Sequence, residues 1–178
     1  MLKTKFFIGV LIISSLLFTS FGLPKNIEKK VQKELEKTFQ LTGFSLHPIR
    51  IADTLSAELP KKINDYNFFR ISKGNDYLGY VFVDKAIAKT SNFDYMVVFN
   101  TELKVVHSKI LIYREEYGGE IGSKRWLKQF IGKTGGDRVN HETNIDGIAG
   151  ATISVRSMTS AMDKLLQTIG ILQKNQVL

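Results

Sequence analysis

The segment between residues 68 and 113 constrains the fold most strongly, because apolar runs alternate there with short polar connections. The runs are rich in β-branched and aromatic residues, which favour β-strands. Asn100 opens one connection, where its side chain favours a tight turn. Successive strands joined by tight turns pair antiparallel, so the pattern predicts an antiparallel sheet. The predicted strands are residues 69–71, 77–83, 95–99 and 103–113.

Helical patterns lie on both sides of this strand region. Residues 26–39 carry an apolar side chain at every fourth position of a charged segment, which predicts an amphipathic helix. Residues 153–169 place apolar side chains on one face, and Gly170 follows where a helix commonly ends. Shorter helices are predicted near residues 53–59 and 123–131. Together these elements predict an α+β fold, an antiparallel sheet with flanking helices.

The N-terminus has the pattern of an export segment. Lys3 and Lys5 precede an apolar run over residues 6–23, and residues 1–22 contain no acidic side chain. This pattern is typical of a signal peptide, and the run is also just long enough for a membrane anchor. Since the lysines stay on the cytoplasmic side, both alternatives predict an exported, periplasmic body. Either residues 1–22 are removed as a signal peptide, or residues 6–23 anchor the body to the inner membrane.

The composition excludes several kinds of functional site. The chain has no cysteine, which excludes disulfides, thiolate zinc sites, iron–sulfur clusters and cysteine nucleophiles. Its three histidines, His47, His107 and His141, lie far apart and do not indicate a metal site. The formal net charge is +8, but basic and acidic residues are interspersed, so nucleic-acid binding is not expected. No catalytic residue is predicted.

One loop has the composition of an anion-binding site. Residues 146–151 lead into the predicted helix, whose first turn carries Thr152 and Ser154. A helix N-terminus offers unpaired N–H groups and a positive dipole end, and Gly150 and Ala151 leave room for a phosphate. The same residues also fit a plain turn in which Thr152 is the N-cap. The residue types alone leave both interpretations open.

The order of these residues is more specific than their composition. Asp-x-x-Ser/Thr-Gly-Ala-Thr is the signature of the FMN-binding domain found in the C subunit of the sodium-pumping NADH:quinone reductase and the G subunit of the Rnf complex. The chain resembles it at Asp146, Gly150, Ala151 and Thr152, with Ala149 where the family usually has Ser or Thr. In that family a flavin transferase moves FMN from FAD onto the last threonine. The resemblance implies covalent FMN on Thr152 through a phosphoester.

A second segment also resembles this family. Residues 113–121 are similar to the family's Glu-Thr-Pro-Gly-Leu-Gly segment, aligned on Glu115 and Gly118, in a form similar to single-domain members. The resemblance implies a cleft with the turn at residues 118–119 on one wall and the start of the Thr152 helix on the other. The flavin ring would lie near residues 116–119. The predicted cofactor-binding residues are Thr152, Ala151, Gly150, Ser154, Ala149, Asp146, Glu116, Tyr117, Gly118 and Gly119.

The export pattern and the resemblance together imply three segments and a function. Residues 1–22 are the export segment, residues 23–67 a charged helical N-terminal region, and residues 68–175 the FMN-binding domain. The implied protein is an extracytoplasmic flavoprotein that relays electrons in a membrane-associated redox chain, rather than a stand-alone enzyme. It implies an FAD-dependent flavin transferase and a membrane electron-transfer partner. The alternative is an exported binding module without cofactor, in which residues 150–154 are only a turn and a helix cap.

Overall fold

The computed structural model describes residues 22–178 and confirms the α+β fold. Five strands form one open sheet, and each strand pairs antiparallel with its neighbours along the chain. The four predicted strands are confirmed; the first three are longer than predicted, and the fourth, predicted over 103–113, is shorter. The strands are β1 (Ser45–Pro48), β2 (Phe68–Lys73), β3 (Asp76–Ile87), β4 (Asn92–Phe99) and β5 (Val105–Ile112).

The two long helices are confirmed, and the short ones are shorter than predicted. The predicted helix near residues 53–59 is a single turn, and the one near 123–131 is an α-helical turn followed by a 3-10 turn. A further 3-10 turn covers Gly119–Gly122. The helices are α1 (Lys25–Phe39), α2 (Asp53–Ser56), α3 (Lys124–Leu127, continued by the 3-10 turn Lys128–Phe130) and α4 (Thr152–Lys174).

The sheet separates two apolar cores because alternate strand residues point to opposite faces. One face is mostly aromatic and packs with the buried side of α4. The other face is mostly aliphatic and packs with Ile27, Val31 and Leu35 of α1. β4 is therefore covered on both sides, and every residue from Phe93 to Phe99 is buried.

Strand β1 has no counterpart in the prediction. It is four residues long, only Leu46 is buried, and Pro48 ends it, so no alternating pattern marks it in the sequence. A proline is tolerated there because β1 is an edge strand, where one side of the backbone needs no partner. β1 therefore depends on pairing with β2 rather than on its own propensity.

The predicted helix end at Gly170 is wrong, since α4 continues to Lys174. Gly170 instead lies against the loop at Gly135. A Cβ added at Gly170 would come within 2.6 Å of the Gly135 carbonyl oxygen. The glycine is therefore explained by close backbone packing in the middle of the helix.

The predicted export segment lies, apart from Gly22, outside the described residues. Within residues 22–178, no helix combines the length and the hydropathy that a bilayer span requires.

Replacing Gly170 tests this packing. Gly170→Ala should lower the free energy of unfolding by roughly 1 kcal/mol or more, because the clash outweighs the gain in helix propensity. Urea denaturation measures the change. Gly136→Ala is the matched control, since its Cβ would meet only Thr134 Oγ1 at 3.8 Å. If Gly170→Ala and the wild type unfold with the same free energy, the loop at Gly135 does not pack closely enough on α4 to exclude a Cβ.

The free energy of unfolding should depend on pH through His107, a β5 residue that contacts Glu34 of α1. Burial lowers the pKa of His107, although Glu34, whose Oε2 lies 3.4 Å from its Nε2, opposes that shift. The unfolded chain takes up this proton near the ordinary pKa of 6.5, before the folded chain does. His107 therefore contributes full stability above that pH, and this contribution falls as the pH drops below it. Urea midpoints measured from about pH 8 to 5 should show a smaller decline for His107→Gln than for the wild type.

Candidate functional site

A cleft opens at the end of the sheet where the β3–β4 turn, the segment after β5 and the start of α4 meet. Its cavity volume is about 630 Å³, within the range of small-molecule sites. Three chain segments line it. They contribute Lys89 and Thr90; Tyr113, Arg114, Glu115, Glu116, Tyr117 and Gly118; and Gly150, Ala151, Thr152, Ile153 and Ser154.

The first wall depends on Gly118. Its φ of +86° is in the left-handed region that favours glycine. A Cβ there would lie 2.6 Å from the Tyr113 hydroxyl and 3.5 Å from the Ala151 side chain, on the opposite wall. Glycine thus lets the Tyr113 hydroxyl and the Ala151 side chain pack against the backbone at position 118, where the two walls approach each other.

The second wall is an uncapped helix N-terminus. Ala151, not Thr152, is the N-cap of α4, and no side chain caps the helix. The first helical hydrogen bond runs from Val155 N–H to the Ala151 carbonyl. The N–H groups of Thr152, Ile153 and Ser154 therefore have no acceptor within residues 22–178. The alternative that assigned Thr152 as a side-chain cap is wrong.

One side chain ties the two walls together. The Tyr113 hydroxyl donates to the Tyr117 carbonyl oxygen at 2.8 Å and lies 2.9 Å from Ser154 Oγ. Since the tyrosine proton is used toward Tyr117, the serine hydroxyl donates to Tyr113. The ring itself packs on buried Phe93 at 6.0 Å between centroids. Tyr113 therefore links the loop after β5 to the first turn of α4.

Glu115 connects the segment after β5 to the β3–β4 turn at the rim of the cleft. Its Oε1 accepts hydrogen bonds from the backbone N–H groups of Thr90 and Ser91 and from the Thr90 hydroxyl. The bond from the Thr90 backbone is the main cause that lowers the pKa of Glu115. The carboxylate is therefore charged at neutral pH and holds the turn in place.

Arg114 brings a fixed positive charge to the cleft. It pairs with Asp94, whose side chain is buried, and donates to the Asn92 carbonyl oxygen at 2.8 Å. Two strand-end partners thus hold its guanidinium in one place, which preorganises the charge. Lys89 adds a second, exposed positive charge on the same rim.

The structure brings together seven of the ten predicted site residues in this cleft. These are Thr152, Ala151, Gly150, Ser154, Glu116, Tyr117 and Gly118. Gly119 begins the 3-10 turn just beyond the cleft. Ala149 lies on an adjoining cavity that also reaches Thr152. That any of them contacts a flavin stays a prediction.

Asp146 lies outside the cleft, and its backbone N–H and carbonyl groups are hydrogen-bonded to other side chains. Its N–H donates to Gln129 Oε1 and its carbonyl accepts from Trp126 Nε1, both at 2.7 Å. Asp146 therefore anchors the loop that leads to α4. Trp126 is buried in the core and does not line the cleft.

The comparison with protein families decides the identity. Residues 89–167 match the family model of the FMN-binding domain. This part of the chain is an FMN-binding domain. The match begins at Lys89 in the β3–β4 turn, so it includes every residue that lines the cleft. No curated protein is significantly similar to the chain.

The residues of the cleft fit the phosphate and ring of FMN. Three free backbone N–H groups at a helix start suit a phosphate. Of the two cations at the rim, Arg114 is paired with Asp94 and Lys89 has no ion pair within the described residues. The exposed side chains of Tyr117 and Ile153 line the same cleft and suit contact with a flat ring.

The cleft residues that sequence reasoning missed are Lys89, Thr90, Tyr113, Arg114, Glu115 and Ile153. Tyr113, Arg114 and Glu115 belong to the segment 113–121, and Ile153 directly follows Thr152. Lys89 and Thr90 lie outside both motifs, and no local signal marks them.

The bridge between the walls can be tested by removing one hydroxyl. Tyr113→Phe keeps the ring but leaves the Tyr117 carbonyl and Ser154 Oγ without this partner. We expect a loss of about 1–2 kcal/mol in the free energy of unfolding. Amide exchange should also become faster in residues 114–118 and 152–155 together. Tyr66→Phe is the control, because the Tyr66 hydroxyl has no partner within the described residues. Unchanged exchange in both segments would contradict the bridging role.

Proposed function

We propose that the protein is an extracytoplasmic flavoprotein that carries FMN covalently on Thr152 through a phosphoester. In this proposal it relays electrons in a membrane-associated redox chain. The observation that carries the proposal is the position of Thr152. It is exposed, it begins an uncapped helix, and it lies in the cleft of a domain that belongs to the FMN-binding family.

The exposure of Thr152 suits attachment by a second enzyme. The Thr152 side chain makes no capping bond and borders two cavities, so it can be reached from solvent. In the attachment step the Thr152 hydroxyl loses its proton and Oγ1 bonds to the FMN phosphorus of FAD. The phosphoanhydride bond breaks and AMP leaves. An FAD-dependent flavin transferase is the partner that this step requires.

The residues of the cleft supply position and charge. The free N–H groups of Thr152, Ile153 and Ser154 bind the phosphate, and the helix dipole favours its negative charge. Arg114 and Lys89 add positive charge at the rim. Tyr117 is 76% exposed and Ile153 49% exposed, so these two side chains offer apolar contact to a ring from opposite walls. FMN, when bound, supplies one- and two-electron redox chemistry.

Attachment also suits an exported protein. A flavin that dissociates outside the cytoplasm is lost, whereas a tether keeps its effective concentration high without tight noncovalent binding. The export pattern of residues 1–22 supports this location. The exposed rim of the cleft leaves the ring open to a membrane electron-transfer partner.

The attachment site is tested by intact mass. The full chain, coexpressed with an FAD-dependent flavin transferase and then denatured, should be heavier by one FMN less one water. Thr152→Ala should lose the adduct completely, and Thr152→Ser should keep it, because the serine retains the hydroxyl. Thr143→Ala is the matched control, since it removes an exposed threonine from the preceding loop.

Two outcomes would overturn parts of this proposal. If Thr152→Ala keeps the adduct, the acceptor is another residue. If the wild type gains no adduct from a transferase that modifies its own substrate, the attachment is not covalent. Titration with free FMN, followed by its fluorescence, then separates a noncovalent flavoprotein from a binding module without cofactor.

A further inference from the structure

The outward side of α1 carries four lysines, with one partly exposed acidic side chain, Glu36, among them. Lys25, Lys29, Lys33 and Lys37 recur at four-residue spacing and are all exposed. We call these four residues the lysine stripe. At 100° per residue they cover about a third of the helix circumference. The side chains that pack on the sheet, Ile27, Val31 and Leu35, lie on the opposite side.

Within the described residues, no lysine of the stripe forms an ion pair with another element of the fold. Lys37 pairs with Glu34 at 2.9 Å, and the other three lysines have no ion pair within residues 22–178. The neighbouring Lys30 is exposed as well, whereas Glu36 is only partly exposed. Five positive side chains therefore face solvent from one short helix, which a core-packing role does not explain.

The chain enters α1 from an apolar segment. Residues 6–23 are apolar, and Leu23 is buried in the core under α1. Gly22 packs against the ring of Tyr66 so closely that a Cβ would clash with it. Tyr66 is itself 62% exposed. An exposed tyrosine thus lies where the apolar segment joins the domain, and tyrosine is enriched at membrane interfaces.

We propose that α1 lies on an anionic lipid surface through the lysine stripe, with Tyr66 at the same interface. If the apolar run up to residue 21 is in the bilayer, Lys25 lies within about 14 Å of the headgroups, a distance comparable to the Debye length. Each lysine close to an anionic surface strengthens the contact about fivefold. The lipid thus orients the whole domain, because α1 is packed on its sheet. This proposal does not depend on the flavin.

The test uses the full chain, which has no cysteine of its own. Asn26→Cys places one fluorophore on the exposed side of α1, and Ser160→Cys places it on α4, across the sheet. Each chain is reconstituted in phosphatidylcholine vesicles with or without phosphatidylglycerol, with a quencher attached to the lipid headgroups. We expect strong quenching at position 26 only with phosphatidylglycerol, lost in high salt, and little quenching at position 160.

A charge-matched pair of variants isolates the stripe. Replacing Lys25, Lys29, Lys33 and Lys37 together by Gln should reduce the phosphatidylglycerol-dependent quenching at least tenfold. Replacing Lys104, Lys124, Lys128 and Lys174 by Gln removes the same charge elsewhere and should leave it unchanged. The proposal is overturned if both variants behave alike or if phosphatidylglycerol has no effect. It is also overturned if quenching at position 26 falls as protein concentration rises, which would indicate a second copy on α1.

Discussion

The packing of α4 on the aromatic face of the sheet is the interaction on which the site depends. Eleven side chains of this helix are buried, and each large one contributes roughly 2 kcal/mol by leaving water. This packing fixes the direction and the register of the helix. Its N-terminus therefore lies at one end of the sheet, with the Thr152, Ile153 and Ser154 N–H groups facing the cleft. No side chain caps that end, so the backbone N–H groups that a cap usually satisfies have no partner within the described residues.

Around this fixed helix start, the other wall is held by polar contacts. Tyr113 links the loop after β5 to Ser154, Glu115 links the same loop to the β3–β4 turn, and Asp94 holds Arg114 at the rim. The charged partners are rigidly placed, which favours binding without rearrangement. Gly118 completes the arrangement because a larger residue would push against Tyr113. The cleft is thus a product of three separate segments rather than of one motif.

Much of the fold was predictable because its periodicity is strong. The buried stripe of α1 at Ile27, Val31 and Leu35 and the strand runs of β3 and β4 are plain in the sequence, and both are confirmed. Strand β1 was missed because a four-residue edge strand has too few buried positions to show a pattern. Gly170 was misread because a glycine near the end of an apolar stripe usually stops a helix. Its contact with Gly135 is 35 residues away in sequence, and local reasoning cannot detect it.

The sequence by itself determined the family and the threonine that the family motif singles out, because both depend on the order of neighbouring residues. It also determined the strands of the sheet and the two long helices, since runs of β-branched and aromatic residues and four-residue apolar spacing are local properties. Only the tertiary structure decided which of the predicted residues share a cleft and which, such as Asp146, serve the loop behind it. It also decided that Thr152 is not a cap. Those facts depend on where α4 ends against the sheet, and that position is set by packing between residues far apart in the chain.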